Sequence, residues 1–261
     1  FKPLLPLGGC TVLERAVSAF LRAGVRDVRV VVGHNAEALG PVLDRLGARA
    51  VVNPDYQAGM FSSVVAGVAS LGAEIKAFFV LPVDTPLVKP RTVRALSQAF
   101  QATQSGIIYP CFLQKRGHPP LISASYVQEI MAWDRPGGLR ALLREHRDAS
   151  LNVEVADEGI LLDLDSPEEY RSALAYAGRE AFPTVQECLS LLSQLQVVSP
   201  VLDHSRRVAE AACRMAVRLN GVGHGLNLDL LMAAGLLHDL AKGQADHAHR
   251  AAHLLAQWDY P

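Results

Sequence analysis

Apolar positions in the first two-thirds of the chain change repeatedly between helical spacing and short β-branched runs. The segment Thr11 to Gly24 has helical spacing, with Thr11 and Glu14 placed as an N-terminal capping box and Gly24 as the stop. Helical spacing also covers 36–46, 61–71 and 92–100, and short apolar runs typical of strands cover 28–32, 48–52, 77–81 and 106–109. Because continuous apolar strands alternate with helices, we predict a mostly parallel sheet covered by helices on both faces.

The pattern changes towards the end of the chain. We predict two further strands at 151–155 and 160–164, and a helix that begins at Ser166 with a proline and two glutamates in its first turn. Beyond Pro183 only helical spacing remains, and one stripe is predicted to line the helical core: Val201, Val208, Ala212, Met215 and Leu219. The sequence therefore predicts an α/β domain at 1–178 and an all-α domain at 184–261.

Composition excludes several classes of protein. Half of the 261 residues are hydrophobic, which is enough for a folded core, and the net charge of −1 provides no basic surface for nucleic acid or an anionic membrane. The 4 cysteines are far apart, so a zinc or redox motif is not expected and a reducing cytoplasm is the natural compartment. No apolar run reaches the roughly 20 residues of a membrane span. We expect small-molecule partners and, because Phe1 begins within an apolar phrase, further residues upstream.

Asp84 is a candidate metal ligand because it directly follows a predicted strand. Ligands of open α/β sheets bind beyond the carboxyl ends of the strands, and Pro82 and Pro86 stiffen the turn that carries this carboxylate. Mg²⁺ uses one or two protein carboxylates and takes its other ligands from water and substrate phosphates. The alternative is that Asp84 only caps its own turn.

Other polar residues follow strands or precede helices. Asp163 and Asp165 end another predicted strand, so either could be a second metal ligand, while one of them could simply support the next helix. Gly59, Ser62 and Ser63 precede or open a helix whose N-terminal amides could receive an anion, or they could form an ordinary loop and cap.

Lys2 and His118 are single residues with a less specific pattern. Lys2 carries a compact charge suited to triphosphate oxygens, although a lone lysine in this position is usually a surface residue. His118, between Gly117 and Pro119, could contact a substrate or could be solvated.

Five phrases in this order resemble the molybdenum-cofactor nucleotidyltransferases, close to the cytidylyltransferase branch. They span 1–176 and are 2–9 (KPLLPLGG), 53–63 (with NPD, GM and SS), 82–88 (PVDTPLV), 117–119 (GHP) and 163–168 (DLDSPE). The resemblance implies a Rossmann-like nucleotidyltransferase fold with three α/β/α layers, Mg²⁺ at Asp84, triphosphate contact by Lys2 and a pterin phosphate as acceptor. It also implies a molybdoenzyme or its maturation factor as a partner.

One feature of that family is missing. Its members carry a glycine-rich loop with an arginine just before the segment that matches Lys2, and this loop cradles the nucleotide phosphates. We expect the loop to lie upstream of Phe1; the alternative, a real loss of the loop, would make the domain inactive as an NTP transferase. Residues that recognise the base are expected there too. The resemblance to the cytidylyltransferase branch implies CTP as the substrate, and GTP stays open as the alternative.

Polar residues interrupt the apolar pattern of the helical domain. His204 lies one turn before Val208 on the predicted core stripe, so its imidazole is predicted to point inwards. His238 and Asp239 end an otherwise apolar stretch, predicted as a helix over 228–242. Metal ligation would satisfy these three side chains where burial is expected.

A histidine followed by a later His-Asp pair, within 237–243 (LHDLAKG), resembles the HD superfamily of phosphohydrolases. The resemblance implies a divalent transition metal such as Mn²⁺ or Fe²⁺, and water bound to it that attacks a phosphate ester. The implied ligands are His204, His238, Asp239 and His247. Because the last metal aspartate of that family lies on a further helix, we expect the HD domain to be incomplete in this chain.

Two other functions stay open beside nucleotidyl transfer to a molybdopterin phosphate. The HD domain could be the working hydrolase while the first domain binds nucleotide or cofactor for regulation. The first domain could also be a sugar-phosphate nucleotidyltransferase, since a fold does not determine its substrate.

Overall fold

The computed structural model describes residues 1–103, 105–244 and 246–260. The chain divides into two compact units. Unit 1 comprises Phe1–Val155 and Gly159–Leu174, and unit 2 comprises Ala156–Glu158 and Ala175–Pro261. The short segment 156–158 therefore belongs to the helical unit although it lies within the α/β part of the sequence.

Helices and strands alternate in unit 1. Its helices are α1 (Val12–Arg22), α2 (Ala36–Leu46), α3 (Met60–Ala69), α4 (Pro90–Ala102), α5 (Val127–Ala132), α6 (Gly138–Glu145) and the first part of α7 (Pro167–Ala177). Its strands are β1 (Pro6–Leu7), β2 (Cys10–Thr11), β3 (Arg29–Val32), β4 (Arg49–Val52), β5 (Ala77–Phe79), β6 (Ile107–Phe112), β7 (Lys115–Arg116), β8 (Leu121–Ser123) and β9 (Ser150–Glu154).

The sheets of unit 1 are mixed. Strands β3 and β4 pair in parallel, and so do β6 and β9. In the sheet with the order β5-β8-β6-β7, β8 runs antiparallel to both of its neighbours. Alternate residues of β6 point to opposite faces: Ile107 packs with residues of α5 and α6, and Ile108 packs with Leu96 of α4. Helices thus cover both faces, and the predicted α/β class is confirmed.

Local sequence explains where the helices begin. Thr11 Oγ1 accepts the Glu14 N–H and a Glu14 carboxylate oxygen accepts the Thr11 N–H, so the predicted capping box forms at the start of α1. Ser166 and Glu169 exchange the same pair of bonds at the start of α7. These bonds satisfy N–H groups that a helix start would otherwise leave without partners.

The strand predicted at 160–164 is wrong. A 3₁₀ helix occupies Glu158–Leu161, and the carbonyl of Ile160 accepts the His118 N–H at 3.0 Å instead of joining a ladder. Ile160 and Leu164 are both buried and are four residues apart, so the apolar run fits a helical turn followed by a packed loop. The pattern did not predict β8, α5 or α6, which are short.

Unit 2 is helical, with α8 (Val185–Gln194), α9 (Ser199–Asn220), α10 (Leu228–Leu237) and α11 (His247–Gln257). Its core includes Cys188, Leu191, Ala209, Leu236 and Leu237. Helices α9 and α10 approach so closely that a Cβ on Gly235 would lie 2.5 Å from the Cα of Ala209.

Two predictions for the helical region are wrong. The buried residues of α9 are Ser205, Ala209 and Ala216, whereas Met215 is 61% exposed and Leu219 is 42% exposed. Small residues line the buried stripe because the close approach of α10 leaves no room for larger ones. Helix α10 also ends at Leu237, so the predicted helix over 228–242 gives way to a turn that contains His238 and Asp239.

A carboxylate lies at the centre of unit 2. Glu187 is fully buried, and its two oxygens accept bonds from the N–H groups of Glu158 and Thr184 and from the hydroxyls of Tyr176 and Tyr260. Burial raises the pKa of Tyr176 well above its usual value. Four donors compensate for the loss of water around this carboxylate.

No helix in the described part of the chain has the length and apolar character needed to cross a membrane.

Candidate functional site

The turn after β5 holds Asp84 at the edge of unit 1. The Thr85 N–H donates to the Pro82 carbonyl at 3.1 Å and closes the turn. Thr85 is fully buried, and its hydroxyl donates to Asp163 Oδ1 at 2.9 Å. The predicted turn and the segment that precedes α7 are therefore joined, which brings Asp84 and Asp163 into one region.

Lys2 lies between two of the predicted carboxylates. Its Nζ is 3.0 Å from Asp165 Oδ1 and 4.0 Å from Asp84 Oδ2. Tyr170 of α7 donates its hydroxyl proton to the Pro6 carbonyl. This bond connects the N-terminal segment that carries Lys2 to α7, the helix that Asp165 precedes. We call Lys2, Asp84, Asp163 and Asp165 the carboxylate site.

Charge in the carboxylate site is unbalanced. Burial raises the pKa of Asp84; the Lys2 ammonium opposes this rise, and the carboxylates of Asp165 and Asp163 add to it. The site thus holds three acidic groups and one lysine, and a divalent cation would relieve the excess negative charge. Asp84 is half-buried, whereas the side chain of Asp165 is 69% exposed, which makes Asp165 more dispensable than Asp84.

His118 borders the carboxylate site and is not a solvated loop residue. It is half-buried, because its N–H is bonded to the Ile160 carbonyl and a Cβ on Gly117 would lie 2.4 Å from that same oxygen. Burial lowers the pKa of His118, and the carboxylates of Asp163 and Asp84 oppose this shift. Among the described residues its buried Nδ1 has no hydrogen-bond partner, so the ring has one polar atom left for a ligand.

Gly59, Ser62 and Ser63 form a separate arrangement at the start of α3. Gly59 has a φ of 102°, which favours glycine. Asn53 Nδ2 donates to the hydroxyl oxygens of Ser62 and Ser63 at 2.8 and 3.0 Å, and the Ser62 hydroxyl lies 2.8 Å from the Gly59 carbonyl. In the described part of the chain no hydrogen bond or ion pair joins these residues to Asp84. The Ser62 hydroxyl proton is already donated to a carbonyl, so an anion here would be bound by backbone N–H groups.

In unit 2 the structure brings together His204, His238 and Asp239, which we call the histidine site. Their ligand atoms all lie within 4.8 Å of one another. The Nε2 atoms of His204 and His238 lie 3.6 and 3.4 Å from Asp239 Oδ2. Two ligands of one metal at about 2.1 Å each are about 3.0 to 3.5 Å apart, so small side-chain shifts would complete a site.

The tautomer of His238 also suits a metal. Its Nδ1 lies 2.9 Å from the Gly235 carbonyl, which can only accept, so Nδ1 carries the proton and Nε2 is free to coordinate. The expectation that both histidines are buried is wrong: the side chains of His204 and His238 are 44% and 37% exposed, and only Asp239 is buried. The turn after α10 places His238 at the surface.

Two further residues complete the description of the histidine site. Lys242 Nζ contacts Asp239 Oδ2, and the hydrogen bond from Lys242 is the main cause that lowers the pKa of Asp239. His247, the first residue of α11, is exposed and is outside the group of three found among the described residues.

The sequence reading gave no role to Thr85, Asn53, Tyr170 or Lys242. Three of them lie inside the phrases that carry the family resemblances, at 82–88, 53–63 and 237–243: Thr85, Asn53 and Lys242. Their roles depend on hydrogen bonds to residues distant in sequence or on the other side of a turn, which spacing does not predict.

Comparison with known proteins supports the family resemblance of both the α/β part and the helical part of the chain. Residues 1–150 match the MobA-like NTP transferase domain and residues 201–261 match the HD domain. The chain is 32% identical over 177 residues to "Nicotine blue oxidoreductase" of Paenarthrobacter nicotinovorans, covering 64% of this chain and 85% of the relative. It is 24% identical over 173 residues to "Molybdenum cofactor cytidylyltransferase" of Escherichia coli K12, covering 66% and 86%.

Solved structures share the fold. A manganese complex of a Mycobacterium tuberculosis H37Rv protein superposes with a TM-score of 0.58 at 24% identity, covering 67% of this chain and 91% of that protein. The chain belongs to the MobA-like NTP transferase family, with an HD domain after the transferase domain.

Proposed function

We propose that unit 1 transfers a nucleotidyl group from CTP to the phosphate of a molybdopterin-type acceptor and releases pyrophosphate. The observation that supports this most directly is the convergence of Lys2, Asp163 and Asp165 on Asp84 at one edge of unit 1. The cytidylyltransferase relative supports the choice of CTP and of the acceptor.

The reaction needs no protein nucleophile. An acceptor phosphate oxygen attacks the α-phosphorus, and the bond from this phosphorus to the pyrophosphate oxygen breaks. The protein contributes position and charge. Lys2 offsets the charge of the leaving pyrophosphate, and His118, neutral because burial lowers its pKa, offers a ring nitrogen to the acceptor.

Asp84 and Asp163 would hold Mg²⁺, which supplies charge neutralisation for the phosphates. The fit rests on the crowded carboxylates that raise the pKa of Asp84 and on the hydrogen bond from Thr85 that orients Asp163. Asp165, exposed and paired with Lys2, holds this lysine in the site. Gly59, Ser62 and Ser63 position the start of α3 towards the acceptor.

A second activity is proposed for unit 2. The histidine site fits a divalent ion such as Mn²⁺ or Fe²⁺, because imidazole and carboxylate ligands suit these metals and the His238 tautomer leaves Nε2 free. Its activity is hydrolysis of a phosphate ester. His247 would join only after a movement of the start of α11.

The reaction is proposed to occur in the cytoplasm, where the four cysteines stay as the free thiols seen in the structure. The product would pass to a molybdoenzyme or its maturation factor.

Pyrophosphate release from each of the four NTPs tests the transfer, with and without molybdopterin. We expect pyrophosphate release from CTP, and we expect it only when molybdopterin is present. Release with a sugar phosphate instead would favour that acceptor class. Because one relative is named an oxidoreductase, the same preparation is assayed for oxidation of NADH and NADPH, and turnover there without pyrophosphate release would overturn the transferase proposal.

A further inference from the structure

The secondary structure around Lys2 is too short to hold this residue in place by itself. A single 3₁₀ turn covers Lys2–Leu4, and the strands β1 and β2 that follow have two residues each. An isolated two-stranded hairpin is marginally stable at best in water. The ion pair of Lys2 with the exposed Asp165 contributes little. Contacts with other elements of unit 1 therefore have to position Lys2.

Arg15 of α1 binds this segment through two of its carbonyls. Its Nε donates to the Leu7 carbonyl at 3.1 Å, and its Nη2 donates to the Gly8 carbonyl at 3.0 Å. One planar guanidinium thus binds two consecutive carbonyls, at the end of β1 and at the first residue of the turn to β2. A lysine carries a point charge without this fork and does not reproduce the pair of bonds.

These two bonds belong to a continuous row of four. Tyr170 of α7 donates to the Pro6 carbonyl, and the Val12 N–H at the start of α1 donates to the Leu5 carbonyl at 2.9 Å. Each carbonyl of residues 5–8 therefore accepts a bond from α1 or α7, and one arginine supplies two of these four bonds.

We propose that Arg15 is a positioning residue for Lys2, and through Lys2 for the triphosphate of the nucleotide. The proposal deepens the transferase activity and rests on the proposed contact between Lys2 and the triphosphate. Arg15 uses these two donors on the protein backbone, so it acts on the substrate only through Lys2. Without its bonds the Lys2 ammonium keeps its charge but has to be ordered when the nucleotide binds, which lowers the affinity.

Calorimetric titration of CTP in the presence of Mg²⁺ tests the proposal in a cycle of two substitutions. Arg15→Met keeps an apolar stem and removes both bonds, and we expect it to lower CTP affinity severalfold, less than Lys2→Ala does. In the Lys2→Ala background Arg15→Met should have no further effect, because the ammonium that it positions is gone. Equal losses of affinity in both backgrounds would overturn the proposal, since Arg15 would then act independently of Lys2.

Two further variants remove part of the row of bonds. Arg15→Lys should lose less CTP affinity than Arg15→Met, because an ammonium can keep one of the two carbonyl bonds. Tyr170→Phe removes the bond to the Pro6 carbonyl and leaves Arg15 unchanged. It should lower CTP affinity as well, and again only while Lys2 is present.

The matched control is Arg94→Met. Arg94 of α4 also donates to a backbone carbonyl, that of Arg22 at 3.5 Å, but at the other end of α1. This variant should bind CTP as the unchanged protein does. If it loses as much affinity as Arg15→Met, the packing of α1 and not the position of Lys2 is responsible, and the proposal is overturned.

Alkylation of Cys10 by iodoacetamide measures the same effect without a nucleotide. Cys10 of β2 is half-buried, and its Sγ lies 3.5 Å from the Leu7 carbonyl, the oxygen that Arg15 also binds. Mass spectrometry of peptides should show alkylation of Cys10 that is severalfold faster in Arg15→Met. The half-buried Cys213 of unit 2 should react at an unchanged rate. If Cys213 also reacts faster, the variant is unfolded, and Arg15→Lys is compared with the unchanged protein in its place.

The two readouts distinguish failure of the positioning role from failure of the transferase activity. If the unchanged protein binds no CTP, the transferase proposal fails, and faster alkylation of Cys10 in Arg15→Met still supports Arg15 as the residue that holds the segment of Lys2. If CTP binds but Cys10 reacts at the same rate with and without Arg15, the positioning proposal is overturned and the transferase proposal stands.

Discussion

The hydroxyl of Thr85 donates a 2.9 Å hydrogen bond to Asp163 Oδ1, across 78 residues of sequence. Thr85 is fully buried and Asp163 is exposed, so the bond anchors a surface carboxylate to the interior of unit 1. The orientation of Asp163 therefore depends on a residue that does not itself reach a ligand.

Thr85→Val keeps the shape of the side chain and removes this bond. We expect the Mg²⁺ concentration for half-maximal transfer to rise severalfold and stability to fall by about 1 kcal/mol, measured by urea unfolding. Thr85→Ser should restore both. A valine variant with unchanged Mg²⁺ dependence would show that Asp163 needs no orientation.

Asp84→Ala should lower nucleotidyl transfer by on the order of a hundredfold or more, because the metal would lose its most buried carboxylate. The fold should persist, since Asp84 lies in a turn closed by backbone bonds. Pyrophosphate release measures the loss, and the exposed Asp134→Ala is the matched control. Near-normal turnover would remove Asp84 from the site.

Lys2→Ala should weaken CTP binding by about 1.5 to 3 kcal/mol, the contribution of one charged contact. The ion pair of Lys2 with the exposed Asp165 stabilises the protein little, so breaking this pair would cost CTP binding little free energy. Titration of CTP into the protein measures the effect, with Lys115→Ala on the exposed strand β7 as control. Equal affinities in Lys2→Ala and the unchanged protein would contradict the triphosphate contact.

Glu14 predicts a pH dependence of stability. The Thr11 N–H and Arg45 lower the pKa of Glu14 from 4.5 to about 2. Because the pKa is depressed in the folded state, the stabilisation is complete above pH 4.5 and is lost as the pH falls towards 2. Glu14→Gln should be about 1 kcal/mol less stable than the unchanged protein at pH 6, and the difference should vanish near pH 2. A difference independent of pH would mean that the charge plays no part.

His238→Ala and Asp239→Ala should each remove most of the bound transition metal from the protein, measured by metal analysis after purification. His249→Ala is the control, because this side chain is 88% exposed and lies outside the group of three. Equal metal content in all variants would mean that His238 and Asp239 are not metal ligands and that unit 2 is only a helical scaffold.

Sequence pattern predicted the elements that depend on local interactions. The bounds of α2 and the cap of α1 follow from periodicity and from residues three apart, and these predictions are confirmed. The stripe of α9 was misplaced because Gly235 on another helix decides which face must be small. The run at 160–164 was misassigned because the partner of Ile160 is a loop residue more than forty positions earlier.

In the candidate sites, too, the sequence predicted what depends on local pattern and missed what depends on contacts between separate segments. Asp84, His238 and Asp239 were found because each interrupts or follows an apolar run. The contact of Lys242 with Asp239, by contrast, depends on the turn that replaces the predicted end of α10. That Lys2 lies beside Asp165 depends on how α7 packs against the N-terminal segment, which no local pattern reveals.

The buried carboxylate of Glu187 has a consequence for how the two parts of the chain could be recombined. Two of the donors described above, the Glu158 N–H and the Tyr176 hydroxyl, lie upstream of residue 184. A polypeptide that begins at 184 would keep the charge and lose these two donors, so we expect it to fold poorly by itself. Transplanting the helical part onto another transferase would require the host to supply equivalents of both groups.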